Sequence, residues 1–203
     1  MRSIPNILST IRLVLAPVFL LLYLQDEVVW RALSLGVFAV AVVTDFFDGY
    51  IARNYKAQTS YGVFLDPLAD KFLTFAGFLC LPFIDAAQFP WWAIGVIMFR
   101  DVAVTGLRMA ADYRRIPMET RVTAKLKTLL QMFFLYMVLV VGLFIQTDVW
   151  LSEPALRLLQ SGVLGWAMIF VVIFTLYSGI EYLVVNKEII TLNEPTKSEA
   201  DNR

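Results

Sequence analysis

Residues 44–71 read TDFFDGYIARNYKAQTSYGVFLDPLADK, and this stretch decides how the chain folds. It places four aspartates, Asp45, Asp48, Asp66 and Asp70, among runs of apolar residues. A carboxylate in apolar surroundings is costly unless a cation or a set of hydrogen bonds compensates its charge. We therefore expect this segment to bind a positively charged group.

The remainder of the chain is apolar enough to cross a membrane several times. Hydrophobic residues make up 59% of the 203 residues, and the mean hydropathy is +0.70, whereas a soluble domain is roughly 45–50% apolar. A chain of this length cannot enclose so many apolar helices in a polar shell, which argues against a soluble bundle. The apolar runs predict an all-α polytopic membrane protein with six transmembrane helices, at roughly 7–25, 29–51, 62–84, 90–112, 123–146 and 161–184.

The six spans form one predicted catalytic domain, residues 1–188, followed by a polar cytoplasmic tail, 189–203, that we expect to be disordered. An even number of spans puts both termini on one side, and that side receives most of the lysines and arginines, which predicts that it is cytoplasmic. The chain opens on its first span without an Arg- and Ser-rich presequence, which favours a bacterial plasma membrane.

Composition also bears on chemistry and partners. The single cysteine and the absence of histidine argue against zinc or thiolate chemistry. The formal net charge of zero hides the asymmetry between the two sides, and no nucleic-acid partner is expected.

Helical spacing places the four aspartates on two faces, each near the cytoplasmic side. The face of the second span carries Asp45, Asp48, Gly49 and Ala52. The face of the third span carries Gly62, Asp66 and Asp70. A short polar turn joins the two spans, so they are predicted to be antiparallel neighbours whose acidic faces meet.

Four carboxylates at close quarters repel one another, and a hard divalent cation reverses that repulsion. Mg²⁺ and Mn²⁺ prefer oxygen ligands, and two such ions could clamp a diphosphate between the helices. The small residues Gly49, Ala52 and Gly62 would leave room for a nucleotide or phosphate. The alternative is that the aspartates only pair with nearby cations, of which the sequence offers Arg53, Lys56 and Lys71.

The fixed residues of this stretch resemble a known family. The pattern Asp45-x-x-Asp48-Gly49-x-x-Ala52-Arg53, then eight residues, then Gly62-x-x-x-Asp66-x-x-x-Asp70 resembles the complete signature of the CDP-alcohol phosphatidyltransferases. The segments IPNILSTIRLVLAP, FLDPLADK, FRDVAVTGLR, AKLKTLLQ and SGIEYL resemble its bacterial phosphatidylglycerophosphate synthase branch. One departure is Asp101, which stands where that branch would have glutamate.

The resemblance implies a reaction and a set of roles. In that branch, the hydroxyl of sn-glycerol 3-phosphate attacks the β-phosphorus of CDP-diacylglycerol, giving phosphatidylglycerophosphate and CMP. It implies Mg²⁺ or Mn²⁺, two ions to each site, held by Asp45, Asp48, Asp66 and Asp70, with Asp70 also as the catalytic base. It implies a CDP-donor site formed by Asp48, Gly49, Ala52, Arg53 and Gly62, with Asn6 and Arg12 of the first helix within reach. It also implies a homodimer in a lipid membrane.

The acceptor carries a phosphate, so its site needs cations. Arg108, Lys125 and Lys127 flank the predicted cytoplasmic turn between spans four and five. The alternative for these residues is simple anchoring at the cytoplasmic interface. Arg100 and Asp101 lie deeper in span four, where they could pair with each other or with a neighbour.

Other functions remain open at this point. Within the family, the acceptor could instead be inositol phosphate, serine, choline or phosphatidylglycerol, the last as in a cardiolipin synthase. Membrane prenyltransferases also use Asp-rich helices, but with a longer spacing between the clusters. A transporter or channel would more naturally show internal repeats or broken helices, and a non-enzymatic scaffold would not need four carboxylates on two faces.

Overall fold

The structure is a computed structural model that describes residues 4–55, 60–113, 122–147 and 149–186; its side chains are described at 10–44, 69, 71–113, 122–147 and 149–186. The described residues form helices and connecting turns. The six long helices are α1 (Ile4–Tyr23), α2 (Val28–Tyr55), α3 (Ser60–Cys80), α5 (Trp91–Tyr113), α6 (Val122–Ile145) and α8 (Val163–Val185). They coincide with the six apolar runs to within a few residues. The predicted tail, 189–203, lies outside the described residues.

Two short helices depart from the prediction. The third span was predicted to continue to residue 84, but α3 ends at Cys80 and a separate α4 covers Pro82–Asp85. Pro82 has no N–H to donate to the helix, so the chain turns there. The Leu81 N–H donates to the Phe78 carbonyl, and the Ile84 N–H donates to the Leu81 carbonyl. The other short helix, α7 (Ser152–Gln160), was not predicted.

The helices pack as one bundle. α1 packs against α2 and α3, and α2 and α3 also contact each other. α8 packs against α5 and α6, while α3 joins the two groups by contacting α5 and α6. The helix that carries the second acidic pair is therefore central in the bundle.

The two ends of the bundle differ in the residues of their interiors. Aromatic and aliphatic side chains fill the end where α1, α3 and α6 finish, as in the Phe19–Phe38 pair, whose ring centroids are 5.0 Å apart. Polar buried side chains lie toward the opposite end, which contains the connections 55–60 and 113–122. From the middle of the bundle to that end, the buried polar side chains are Arg12, Asp101, Lys127, Gln131, Thr175, Ser178 and Asn186. We call this second end the basic end, after the lysines and arginines of its connecting sequences.

The aromatic-filled end also carries the tryptophans, and we call it the tryptophan end. All five tryptophans of the chain lie within a few residues of its helix termini, and their side chains are 42–83% exposed. They are Trp30, Trp91, Trp92, Trp150 and Trp166. Exposed tryptophan at the ends of apolar helices is typical of a membrane–water interface.

Gln88 holds the connections of the tryptophan end together. Its amide nitrogen donates to the Asp85 carboxylate at 2.9 Å and to the Leu159 carbonyl at 2.7 Å. Its amide oxygen accepts from the Gly165 N–H at 3.1 Å. The turn from α7 into α8 needs Gly162, whose φ of +73° is a conformation that other residues adopt at a cost. The α4–α5 connection is thereby tied to the α7–α8 turn.

Among the described residues, α6 and α8 are each long and apolar enough to cross a membrane; α1 and α2 contain shorter apolar stretches, 10–23 and 28–44. Large apolar side chains are exposed along both longer helices, among them Leu129, Phe133, Phe170, Ile173 and Ile180. The exposed faces of these helices are therefore apolar, as expected for the lipid-facing surface of a membrane protein. The prediction of six membrane crossings stays a prediction.

Candidate active site

The first acidic pair continues a buried line of α2. Ser34, Phe38 and Ala41 are fully buried and follow one another at helical spacing. The next positions on that line are 45 and 48, toward the basic end. The helix places Asp45 and Asp48 in register with the face that packs into the bundle.

The second acidic pair has the same relation to α3. Leu73 and Gly77 are buried, and positions 66 and 70 precede them on the same helical line. Asp66 and Asp70 thus lie in register with the inward face of the central helix. That the two acidic faces meet stays a prediction.

The surroundings of the four aspartate side chains are not among the described parts of the structure, and neither are the surroundings of the predicted donor-site residues Asn6, Gly49, Ala52, Arg53 and Gly62. Their predicted roles therefore stay predictions. Among the side chains that the structure does describe, no group of three or more acidic or sulfur ligands is placed to hold a metal ion.

Asp101 lies near the middle of α5, at the centre of a buried charged cluster. Its carboxylate lies 2.5 Å from the Lys127 ammonium, 3.3 Å from the Arg100 guanidinium and 3.4 Å from the Lys71 ammonium. Asp101 is 1% exposed and Lys127 is 2% exposed. We refer to Lys71, Arg100, Asp101 and Lys127 as the Asp101 cluster. Its formal charge is positive, because one carboxylate faces three cations.

Arg100 extends the cluster to α8. Its Nη2 donates to the Ser178 hydroxyl at 2.8 Å, and the Ser178 hydroxyl in turn donates to the Thr175 carbonyl at 3.3 Å. Gly179 makes room for the arginine, since a Cβ at that position would lie 3.1 Å from Arg100 Cγ and 3.2 Å from Nε. The cluster therefore links α3, α5, α6 and α8.

The other two predicted acceptor residues lie nearer the basic end, Arg108 about two turns beyond Asp101 on α5 and Lys125 two residues before Lys127 on α6. Arg108 follows Asp101 on the same line of α5, and its guanidinium carbon is 5.9 Å from the centre of the Tyr182 ring. Lys125 is exposed near the start of α6. Close by, the Thr123 hydroxyl donates to Glu181 of α8 at 2.5 Å.

Comparison with known proteins assigns the chain to a family. The model of the CDP-alcohol phosphatidyltransferase family matches residues 2–177. The chain belongs to the CDP-alcohol phosphatidyltransferase family. The resemblance drawn from the signature residues is thereby confirmed, and the chain is a phosphatidyltransferase of the kind that these family members represent.

Individual phosphatidyltransferases match over most of their length. The CDP-diacylglycerol–glycerol-3-phosphate 3-phosphatidyltransferase of Bacillus subtilis is 32% identical over 93% of this chain and 97% of its own length. The protein of the same name from Rickettsia bellii is 34% identical, over 87% of this chain and 93% of its own. A Mycobacterium tuberculosis protein named "Probable phosphatidylglycerophosphate synthase" is 35% identical over 89% of this chain and 80% of its own. The apolar helices and these bacterial relatives indicate a bacterial membrane protein.

The structure of this phosphatidyltransferase separates the three predicted acceptor residues. Lys127 is buried with its ammonium group on Asp101, Arg108 lies over an aromatic ring, and Lys125 is exposed. The pairing of Arg100 with Asp101 that the sequence allowed is present. Sequence reasoning did not identify Ser178 as a partner, or Asp101 as the residue that gathers three cations. The only signal was a charged pair, Arg100–Asp101, in the interior of an apolar run.

Proposed function

We propose that this phosphatidyltransferase transfers the phosphatidyl group of CDP-diacylglycerol to sn-glycerol 3-phosphate, giving phosphatidylglycerophosphate and CMP. The observation that carries the choice of acceptor is the buried, positively charged Asp101 cluster. One of its members, Lys71, directly follows Asp70 on α3. An excess of cations beside the reacting centre suits an acceptor that bears a phosphate. Serine and choline bear none.

The names of the relatives support the same acceptor, since two of them act on glycerol 3-phosphate by name. Inositol phosphate and phosphatidylglycerol also carry an anionic phosphate and would meet the same electrostatic requirement. They are therefore the alternatives that the assay below has to separate.

The four aspartates suit a divalent cation by their chemistry. All of them offer carboxylate oxygens, the ligands that Mg²⁺ and Mn²⁺ prefer, and all lie in register with the inward faces of two contacting helices. Asp45, Asp48, Asp66 and Asp70 would hold it, and we propose two ions to each site. When bound, the metal would neutralise the diphosphate and favour the departure of CMP.

The remaining steps belong to side chains of the chain itself. The hydroxyl oxygen of the acceptor bonds to the β-phosphorus while Asp70 takes the hydroxyl proton. At the same time, the bond from that phosphorus to the CMP oxygen breaks. Gly49, Ala52 and Gly62 leave space for the CDP moiety, with Asp48, Arg53 and Asn6 beside it. Arg108, Lys125 and Lys127 supply positive charge for the acceptor phosphate.

We further propose six membrane crossings in a bacterial plasma membrane, with the basic end and the active site in the cytoplasm. Support comes from the lysines and arginines of the connecting sequences at one end and the exposed tryptophans at the other. A cysteine placed at Gln58, in a background without Cys80, should resist impermeant thiol reagents in intact cells. Labelling from outside would reverse the proposed orientation.

The function is tested with purified protein, CDP-diacylglycerol and a panel of acceptors: glycerol 3-phosphate, inositol phosphate, serine, choline and phosphatidylglycerol. CMP release and the lipid product are measured for each. Of these acceptors, we expect only glycerol 3-phosphate to support turnover. Turnover with another acceptor in place of glycerol 3-phosphate would overturn the assignment.

The homodimer that the resemblance implies is tested separately, by the mass of the detergent-solubilised protein.

A further inference from the structure

The Asp101 carboxylate contacts cations from three helices at once. Lys71 comes from α3, Arg100 from α5 itself and Lys127 from α6. Through the bond from Arg100 to Ser178, α8 joins as well. Few side chains can fix four helices together, and a fully buried carboxylate holds its partners in defined directions because no water competes for it.

The helices that Asp101 joins carry the proposed base, on α3, and the proposed acceptor-binding cations, on α5 and α6. Lys71 is the residue after Asp70, the proposed base, and both belong to the same helix, α3. Lys127 lies on the helix that carries Lys125, and Arg108 lies two turns beyond Asp101 on α5. A contact that fixes Lys71 and Lys127 to the same carboxylate therefore sets the base and the acceptor cations relative to each other.

A purely structural ion pair would contain the same contacts. It would add to the stability of the bundle and leave turnover unchanged in the protein that remains folded. The two roles differ in kinetics, because a misplacement of about 1 Å between reacting groups can cost a hundredfold in rate without loss of the fold.

We propose that Asp101 is a positioning residue of the transfer reaction, which holds the Asp70–Lys71 turn of α3 in register with the acceptor cations of α5 and α6. This inference rests on the proposed function. Asp101 does not touch the substrate in this role. It acts through Lys71 on the base and through Lys127 on the acceptor site.

The test compares kcat and both KM values for Asp101→Asn, Asp101→Glu and Lys71→Met, per mole of folded protein. Asp101→Asn keeps the shape of the side chain and removes its charge, so we expect kcat to fall by about tenfold to a hundredfold, with the KM for CDP-diacylglycerol within about twofold. Asp101→Glu restores the charge and should recover kcat to within about threefold of the wild type.

Lys71→Met keeps the test decisive if Asp101→Asn does not fold. It leaves Asp101 with Arg100 and Lys127 and removes the ion pair from Asp101 to α3, so we expect folded protein with kcat reduced by about tenfold. The matched control is Thr175→Val. That change removes another buried bond between helices, in which Gln131 Nε2 donates to the Thr175 hydroxyl at 3.1 Å. It should lower the melting temperature and leave kcat within about twofold.

Two results would overturn the proposal. One is a kcat for Asp101→Asn or Lys71→Met within about twofold of the wild type, with only the melting temperature lowered. The other is an Asp101→Glu variant as slow as Asp101→Asn. Both require a wild-type protein that is active with glycerol 3-phosphate, so failure of the proposed function would be seen first and separately.

Discussion

Arg100 and Ser178 join α5 to α8 through a hydrogen bond of 2.8 Å from the guanidinium Nη2 to the hydroxyl. The next residue of α8, Gly179, lies against the stem of that arginine. Since the guanidinium is held by Asp101 as well as by Ser178, the side chain is fixed at its far end and cannot move aside freely.

Gly179→Ala is therefore expected to destabilise the protein. The new Cβ would sit 3.1 Å from Arg100 Cγ, and the crowding should outweigh the gain in helix propensity, for a net loss of about 1 kcal/mol. Gly106→Ala on α5 is the matched control, because nothing lies within 4 Å of its added Cβ. Thermal unfolding in detergent measures both, and equal melting temperatures for the two variants would contradict the prediction.

Removal of divalent metal is expected to abolish turnover. The four aspartates would otherwise face a diphosphate as like charges, which is unfavourable without a cation. Activity with CDP-diacylglycerol and glycerol 3-phosphate is measured in excess EDTA and after addition of Mg²⁺ or Mn²⁺. Undiminished turnover in the chelator would rule out the proposed metal site.

Asp70→Asn should separate proton transfer from substrate binding. The amide keeps nearly the same shape but cannot take the acceptor's proton, so we expect kcat to fall by ~10²–10⁴-fold while CDP-diacylglycerol still binds. Asp45→Asn should instead weaken metal and donor binding together, because it removes a ligand charge. Kinetics over a metal titration distinguish the two, and full recovery of Asp70→Asn at high metal would make Asp70 a ligand only.

Arg108→Met should weaken use of the acceptor. Loss of a charged contact to phosphate costs about 1.5–3 kcal/mol, so the KM for glycerol 3-phosphate is expected to rise by roughly tenfold to a hundredfold. The KM for CDP-diacylglycerol should change little. Arg157→Met is the control: it removes an arginine at the tryptophan end that is 79% exposed and paired with Glu153. If the KM for CDP-diacylglycerol rises and the KM for glycerol 3-phosphate does not, the assignment of Arg108 to the acceptor site is wrong.

Asp85 is expected to contribute to the loss of stability of the folded protein in acid. Burial raises the pKa of its carboxyl, but hydrogen bonds from the Gln88 side chain and the Gln88 and Ala87 N–H groups outweigh burial and lower the pKa overall. A lowered folded-state pKa stabilises the fold above the unfolded value of about 3.9, and that contribution is lost as the pH falls through the folded pKa.

Asp85→Asn should therefore make the melting temperature depend less steeply on pH between about pH 5 and pH 3 than it does in the wild type. Asp26→Asn, which changes an exposed aspartate at the same end, is the matched control. An Asp85→Asn protein with the wild-type slope would show that these hydrogen bonds contribute nothing to the pH dependence.

Much of the fold could be predicted because apolar runs of about 20 residues have few alternatives in a chain of this composition. The helical period then placed the aspartates on α2 and α3, since periodicity within a helix is a local property. The break at Pro82 and the nine-residue helix α7 were missed, because both are shorter than the runs that reveal a span. The Pro at the start of α4 and the Glu153–Arg157 spacing in α7 were the available signals.

The contacts of the candidate site could not be predicted in the same way. Asp101 and Lys127 are 26 residues apart on different helices, and no pattern within either helix shows that they meet. Three cations near one another in space were separate charges in the sequence, each of which could have been an interfacial anchor. Which of these cations contacts the Asp101 carboxylate depends on how α3, α5 and α6 are rotated about their axes. That rotation is set by the packing of the whole bundle.

The placement of the tryptophans at one end gives the protein an intrinsic optical asymmetry. Asp101 lies ten residues beyond Trp91 on α5, which is about 15 Å along the helix. Indole emission therefore reports on the surroundings of the tryptophan end, away from the proposed active site. Quenchers attached to lipid headgroups or dissolved in water would read the depth of that end in a bilayer directly, while substrates at the basic end would leave the signal unchanged unless the bundle itself rearranged.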